Sequence, residues 1–114
     1  MKVKLDKWDT LWGKLVRERD GCCRKCGKVP PYQLQAHHIL PRGRSATRYD
    51  LANGITLCVH HHTFGDDSVH RVGKQFVIDL IGLKEYKRLE KLSNQTMSRE
   101  KARKGFITQY APTQ

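Results

Sequence analysis

The sequence predicts an α+β fold in which a small unit of two strands and one helix is flanked by helices at both ends. Two pairs of metal-ligand residues, each with a two-residue spacer, enclose a segment with two short strand-like runs. Apolar residues recur with helical spacing before and after that segment. Each of these observations corresponds to one part of the predicted architecture.

The ligand pairs are Cys23 with Cys26 and Cys58 with His61. A two-residue spacer lets a tight turn present both side chains to one tetrahedral ion, so the four residues predict a closed structural zinc site. Disulfides are the alternative, but no apolar signal segment follows the charged start of the chain. Cys22 offers a second register with Cys26, and the simpler interpretation leaves Cys22 as a free thiol.

Composition limits the class of protein. Lysine and arginine outnumber acidic residues 22 to 11, which gives a formal net charge of +11 and a pI of about 9.8. Such a charge favours a polyanionic partner such as nucleic acid. We expect one domain over residues 1–114, with an N-terminal helix over 1–20, a zinc-framed core over 21–66, and a helical extension with a basic tail over 67–114. No apolar run is long enough to cross a bilayer, so we expect a soluble, cytoplasmic protein.

The N-terminal helix is predicted over residues 6–19, with Gly21 as its end. Its apolar stripe consists of Trp8, Leu11, Trp12, Leu15 and Val16. We interpret this stripe as core and not as a platform for stacking bases. The polar face carries Lys7, Lys14, Arg17 and Arg19, for which solvation alone is a sufficient explanation.

The two strands are predicted over residues 34–39, ending before Pro41, and over residues 55–58, after the turn-forming pair Asn53 and Gly54. The histidine run after the second strand could open a helix. The loop between the strands carries Arg42, Arg44 and Arg48, whose forked guanidinium groups suit contacts with DNA phosphates. A merely solvated loop is the alternative for each of them.

Two helical segments are predicted beyond residue 75, separated by Gly82. Ser98 could cap a short basic helix that ends near Lys104. Its cations, Lys101, Arg103 and Lys104, could hold a second phosphate backbone, or could simply be solvated.

Histidines at the end of one strand and at the start of the following helix could build a divalent metal site beside an imidazole that acts as a base. This combination suits phosphodiester hydrolysis, because the metal neutralises the phosphate while the imidazole takes a proton from water. In a regular strand, His37 and His38 would point to opposite sides, so we expect the strand to end or bulge there. His61 and His62, about 100° apart on a helix, could face two different metals.

The chain resembles the HNH nuclease family, in the cysteine-framed form common among phage-encoded proteins. The resemblance covers residues of about 19 to 64. It rests on the Cys23 to Cys26 knuckle followed by Gly27, the block from His37 to Pro41, Asn53, and Leu57-Cys58 followed by His61-His62.

The resemblance implies a role for each matching position. His38 would be the general base, His37 the first ligand of the catalytic metal, and His62 the second. Asn53 would either orient the base through a backbone hydrogen bond or contact the metal, and we favour orientation. Mg²⁺ or Mn²⁺ is the expected catalytic ion, with Ni²⁺ or Zn²⁺ as alternatives.

The sequence departs from the family pattern at His61, where relatives usually have a fourth cysteine. Histidine is an acceptable zinc ligand, so the site can survive the change. His60 is interpreted as an exposed or locally bonded histidine. His70 could fold back as a third metal ligand or as a hydrogen-bond donor to the phosphate.

The predicted function is therefore a metal-dependent DNA endonuclease of the HNH type, which the resemblance implies leaves 3′-hydroxyl and 5′-phosphate ends. Its partner would be DNA, bound mainly through the phosphate backbone by a monomer or weak dimer, in the cytoplasm of a bacterial host if the protein is phage-encoded. The alternative is a non-catalytic zinc module that binds nucleic acid or a protein partner.

Overall fold

The computed structural model describes residues 4–64 and 73–110, except for the side chains of residues 63 and 64. Its elements are helix α1 (Lys7–Asp20), strand β1 (Leu34–His38), helix α2 (Ser45–Arg48), a 3-10 turn (Leu51–Asn53), strand β2 (Gly54–Cys58), a π-helical turn (His60–Phe64), and helices α3 (Lys74–Ile81), α4 (Leu83–Ser93) and α5 (Arg99–Tyr110). The predicted α+β class is confirmed. Among the described helices, none has the length and apolar character that crossing a membrane requires.

Helix α1 is fixed at both ends by its own sequence. The Asp6 carboxylate accepts from the backbone N–H groups of Trp8 and Asp9 at 2.9 and 2.8 Å, and the Asp9 carboxylate accepts from the Asp6 N–H at 2.7 Å. These reciprocal bonds form a capping box. Gly21 ends the helix in the left-handed conformation, at φ 70°. The predicted bounds of this helix were correct to within one residue.

Strands β1 and β2 pair antiparallel, with Leu34 opposite Cys58 and His38 opposite Gly54. Strand β1 remains regular to its last residue, His38, so it ends there and does not bulge. Strand β2 is buried along its whole length. Ile55 and Leu57 face one apolar core, whereas Gly54 and Thr56 face α1, because successive side chains point to opposite faces.

The core on one face of β2 contains Ile55 and Leu57, packed with Val77 of α3 and Tyr86 of α4. On the other face, α1 lies close to the strand. A Cβ atom at Gly54 would lie 2.6 Å from the Trp12 ring and 2.8 Å from Val16, so only glycine allows this approach.

Helices α3 and α4 are separated at Gly82, as predicted, where φ is 93°. Helix α5 begins with the predicted cap, since the Ser98 hydroxyl accepts from the Lys101 N–H at 3.1 Å. It continues to Tyr110 instead of ending near Lys104. Packing explains the extra turns, because Phe106 contacts Tyr49 and Tyr110 with ring centroids 5.7 and 5.2 Å apart.

A buried ion pair joins α1 to α2. Arg48 donates from Nε and Nη2 to the two carboxylate oxygens of Asp9, at 3.0 and 2.6 Å. The two side chains are only 2% and 1% exposed. Arg48 Nη2 also donates to the Lys4 carbonyl at 2.8 Å, so the buried guanidinium finds its hydrogen-bond acceptors within the protein and not in solvent.

This ion pair corrects the prediction that Arg48 contacts DNA phosphates. Its guanidinium faces the interior and is committed to Asp9, so it is not presented to a ligand. The sequence did not indicate this, because the two partners are 39 positions apart and Arg48 lies in a loop with two other arginines. Arg48 therefore has a structural role.

Replacing Asp9 with Asn should lower the free energy of unfolding by about 3–5 kcal/mol, because it leaves the buried Arg48 cation without its counter-charge. Asn keeps an oxygen that can accept from the Asp6 N–H, so the helix cap is retained. Urea unfolding of the zinc-loaded protein would measure the change. The matched control is Glu18→Gln, which removes a carboxylate from an exposed pair with Lys14 at 3.9 Å and should cost about 0–1 kcal/mol. Equal effects of the two substitutions would contradict a stabilising role for the buried pair.

Candidate functional site

The four predicted zinc ligands come together in the structure. The ligand atoms of Cys23, Cys26, Cys58 and His61 all lie within 4.8 Å of one another. His61 Nδ1 is 3.3 Å from Cys58 Sγ and 3.9 Å from Cys23 Sγ, and Cys26 Sγ is 3.8 Å from Cys58 Sγ. A tetrahedral zinc ion with ~2.3 Å bonds to sulfur and ~2.1 Å bonds to nitrogen would separate its ligand atoms by about 3.6–3.8 Å. The group could therefore hold a structural metal such as zinc.

Local backbone geometry places the first ligand pair. Gly27, at φ 80°, allows a tight turn in which its N–H donates to the Cys23 carbonyl at 2.8 Å. The Arg24 N–H donates to the Thr56 carbonyl of β2 at 2.8 Å, which holds this turn against the strand that ends at Cys58. The second pair follows directly, since His61 lies in the turn after β2.

The environment of Cys23 suits a metal thiolate. Burial acts to raise the pKa of its thiol, but hydrogen bonds from the backbone N–H groups of Cys58, Cys26 and Lys25 lower that pKa to about 6. Cys22 does not belong to the cluster, and none of the four cysteines forms a disulfide. The structure thus places Cys23, and not Cys22, in the ligand set.

His38 lies at the end of β1 and is held by two contacts. Its ring stacks on Trp12, with centroids 3.8 Å apart and planes 9° from parallel. Its Nε2 lies 3.0 Å from the Arg48 carbonyl oxygen. A carbonyl can only accept, so Nε2 carries the hydrogen and Nδ1 carries the lone pair. Burial lowers the pKa of His38 to about 4, although the hydrogen bond to Arg48 and the charge of Asp9 act in the opposite direction.

His37 lies beside His62 of the π-helical turn. Their rings meet edge to face, with centroids 5.2 Å apart. His62 Nδ1 lies 2.6 Å from Gln35 Oε1, which accepts its hydrogen and makes Nε2 the nitrogen suited to bind a metal. Imidazoles bound to one ion by ~2.1 Å bonds have centroids about 3.2 Å from it, and 5.2 Å between them corresponds to an angle of about 110° at the ion. The spacing of the two ring centroids is one that two imidazole ligands of a single ion can have.

The adjacent residues His61 and His62 separate as helical geometry predicts. His61 faces the cysteine cluster, whereas His62 faces Gln35 and His37. His62 and His38 line one cleft of about 550 Å³ between α1 and β1, together with Gln35 and Arg42. The positive charge of Arg42 is one of the influences that lower the pKa of His38.

Asn53 is completely buried and binds the loop between the strands. Its Oδ1 accepts from the Leu40 N–H at 2.7 Å, and its Nδ2 donates to the carbonyls of Leu40 and Thr47, both at 3.1 Å. Thr47 directly precedes Arg48, whose carbonyl receives the His38 hydrogen. Asn53 therefore fixes the loop segment that carries the Arg48 carbonyl.

The other predicted site residues have separate surroundings. Arg44 is exposed and donates to the side chain of Asn94. The exposed ring of His60 meets that of His61 edge to face at 4.9 Å. His70 lies outside the described residues.

Three contributions to the site were missed from the sequence. Trp12 was predicted as core, and its 2% exposure agrees, but it is also the surface on which His38 stacks. No local pattern indicates that contact. The Asp9–Arg48 pair has no local signal either. Gln35 did have a local signal. It precedes His37 by two positions, so both side chains lie on the same face of the strand.

Replacing Cys58 with Ala should abolish stoichiometric zinc binding and lower the thermal unfolding midpoint by many degrees, because a structural zinc site contributes directly to folding. Cys22→Ala should leave both properties close to those of the wild type. Metal content by mass spectrometry and thermal unfolding by circular dichroism would test this. A loss of zinc in Cys22→Ala equal to that in Cys58→Ala would contradict the four-ligand set.

Stability should depend on the protonation of His38. Its folded pKa of about 4 lies below the reference value of 6.5, so the unfolded chain binds the proton more readily. The contribution of a neutral His38 is therefore present above about pH 6.5 and is lost as the pH falls toward 4. Between about pH 7 and pH 5, the wild type should lose on the order of 1–2 kcal/mol more than His38→Gln, which cannot titrate. Urea unfolding of both proteins at each pH measures this difference, and equal losses would contradict the lowered pKa.

Comparison with protein families finds a match between residues 22–67 and the HNH endonuclease family (HNH_2). The matched segment contains both zinc-ligand pairs and both strands, together with His37, His38, Asn53 and His62, whereas α1 and α3 to α5 lie outside it. A search of curated proteins and a search of solved structures each gave no match. Residues 22–67, which carry the antiparallel hairpin and the Cys3His group, are therefore similar to the HNH endonuclease family.

Proposed function

We propose that this protein is a metal-dependent DNA endonuclease that hydrolyses phosphodiester bonds, with His38 as general base and His37 and His62 as ligands of a divalent metal. The observation that supports it most is the arrangement of His38. One ring nitrogen is fixed on the Arg48 carbonyl at 3.0 Å, and the ring lies in a cleft with His62 and Arg42. An imidazole oriented in this way can accept a proton at a defined position.

His38 would act in its neutral form. Because burial lowers its pKa to about 4, the imidazole is unprotonated at neutral pH and can take a proton from an attacking water. A phosphodiester anion in the cleft would offset part of this shift, since a nearby negative charge favours the imidazolium. The base would therefore become stronger when substrate is bound.

The stack on Trp12 and the bond to Arg48 would hold His38 in place during proton transfer. The carbonyl of Arg48 is positioned in turn by the Asp9 ion pair and by the Asn53 bond to Thr47. These residues do not touch the reacting atoms and act as positioning residues. Such support matters because small displacements of a catalytic group can reduce the rate considerably.

His37 and His62 would hold the catalytic ion, and Gln35 would fix the orientation of His62. When bound, a divalent metal supplies charge neutralisation at the scissile phosphate and at the leaving oxygen. A pair of imidazoles suits Ni²⁺ or Zn²⁺ better than Mg²⁺, which prefers oxygen ligands. Mn²⁺ and Mg²⁺ would therefore depend more on oxygens from water and from the phosphate itself.

DNA would bind mainly through its charge. The protein carries a formal net charge of +11, and Arg42 lies in the cleft while Arg44 is exposed on the same loop. Attachment through phosphates should weaken steeply as salt concentration rises.

The test is nicking of supercoiled plasmid in parallel reactions with Mg²⁺, Mn²⁺ or Ni²⁺ and without added metal. Chelators are omitted, because they could also remove the structural zinc. We expect metal-dependent nicking that falls at least about 10²-fold in His38→Ala, which is the usual contribution of a general base. His62→Ala should lose the dependence on added metal, and the control His60→Ala, which changes an exposed ring, should stay near the wild type.

Zinc content and thermal unfolding of each variant would show that it is folded. Nicks sealed by DNA ligase without prior treatment would identify 3′-hydroxyl and 5′-phosphate ends. No cleavage by the wild type with any of the three metals, or equal cleavage by His38→Ala, would refute the proposal and favour a non-catalytic zinc module that binds nucleic acid or protein.

A further inference from the structure

The cleft that holds His38 continues along α1. A second cleft, of about 400 Å³, adjoins it, and both are lined by Arg17 and Leu34. The second cleft is also lined by Lys14 of α1 and by Tyr32, which is 60% exposed. The two clefts therefore form one track, hereafter the α1 track, which leads from His38 and His62 past Arg17 toward Tyr32.

Arg17 stands out among the arginines of this helix. Its side chain is partly buried in the α1 track, yet within residues 4–64 and 73–110 its guanidinium makes no hydrogen bond and no ion pair. Arg19, by contrast, binds the Asp20 carboxylate and the carbonyls of Leu51 and Gly54. A guanidinium has five N–H donors, so Arg17 has capacity for an anionic ligand.

Gly13 makes room for this side chain. A Cβ atom at Gly13 would lie 3.2 Å from Arg17 Nη1 and 3.6 Å from the Ala36 Cβ atom. The contact with Ala36 is ordinary, so the tight neighbour is the guanidinium, which folds back over Gly13. Glycine inside a helix costs about 0.5–1 kcal/mol relative to alanine. The absence of a side chain at Gly13 allows the Arg17 guanidinium to lie close to the backbone of α1 within the track.

The charges along the track suit a polyanion, since the Glu18 carboxylate, which also lines the second cleft, is offset by Lys14 at 3.9 Å. Arg17 and Arg42 are the guanidinium groups of the cleft that holds His38, and the carboxylate that lines it, Asp9, is neutralised by Arg48. At the far end, the Lys28 ammonium lies 5.2 Å from the centre of the Tyr32 ring. A linear chain of phosphates fits such a series of cations better than a compact ligand does.

We propose that Arg17 binds a backbone phosphate of the nucleic-acid strand next to the scissile phosphate, and that this strand follows the α1 track toward Tyr32. The planar fork of a guanidinium matches two oxygens of a phosphate. This inference rests on the proposed nuclease function for the position of the scissile phosphate. It assigns substrate binding to α1, which lies outside the segment matched by the family.

The test is the affinity for a fluorescein-labelled duplex oligonucleotide, measured by anisotropy without added divalent metal and at several salt concentrations. Arg17→Ala should weaken binding about tenfold near 0.1 M salt and reduce the slope of log Kd against log salt by about 0.9, which corresponds to one lost phosphate contact. The matched control is Lys87→Ala, which removes one charge from an exposed position on α4 outside both clefts. Equal effects of Arg17→Ala and Lys87→Ala would overturn the proposal.

A second variant separates the position of the guanidinium from its charge. Gly13→Ala keeps Arg17 but shifts its guanidinium slightly, so binding should weaken measurably but less than in Arg17→Ala, while helix propensity keeps the unfolding free energy equal or higher. Arg17→Lys should recover part of the affinity, because it keeps the charge but loses the fork. Wild-type affinity in Gly13→Ala would overturn the proposed placement.

The binding assay, taken together with the plasmid-nicking assay, distinguishes the role of Arg17 from the proposed nuclease function. If the wild type cleaves DNA but Arg17→Ala binds normally, only the role of Arg17 fails. If no protein cleaves DNA but Arg17→Ala alone loses one phosphate contact, the nuclease function fails while the binding surface remains.

Discussion

The register of the two strands is the constraint on which the rest of the structure depends. It sets Leu34 opposite Cys58 and His38 opposite Gly54, so the zinc ligands gather at one end of the hairpin and His38 lies at the other. Because side chains alternate along a strand, a slip of one residue would exchange the faces of His37 and His38. Gly54 reinforces the register, since no other residue lets Trp12 and Val16 pack so closely there.

Helix α1 completes a site that the matched segment alone does not contain. It supplies the ring beneath His38, the carboxylate that holds Arg48, and one wall of the cleft. The Cys3His group and the buried ion pair lie in different parts of the molecule. The first joins the knuckle to the end of β2, whereas the second fastens the loop between the strands to α1. A protein of 114 residues has a limited apolar core, and such links help to fix its functional groups.

Short-range signals made much of the fold predictable. Asp6 and Gly21 mark the ends of α1, and the spacing within each ligand pair indicated the Cys3His group. Contacts between distant residues could not be predicted in this way. Arg48 appeared to be one of three similar loop arginines, and only tertiary packing turns it toward Asp9. The length of α5 depended on Phe106 meeting Tyr49, which no local pattern shows. Sequence spacing thus identifies side chains that are close along the chain and share a site, but it does not reveal the distant residues that pack against them.

The stacking of Trp12 on His38 has a photophysical consequence. The indole and imidazole rings are nearly parallel and 3.8 Å apart. An imidazolium at that distance accepts an electron from an excited indole more readily than a neutral imidazole does, so the emission of Trp12 carries information about the charge of its neighbour. The protein therefore contains its own optical reporter of the charge of His38, without any added label.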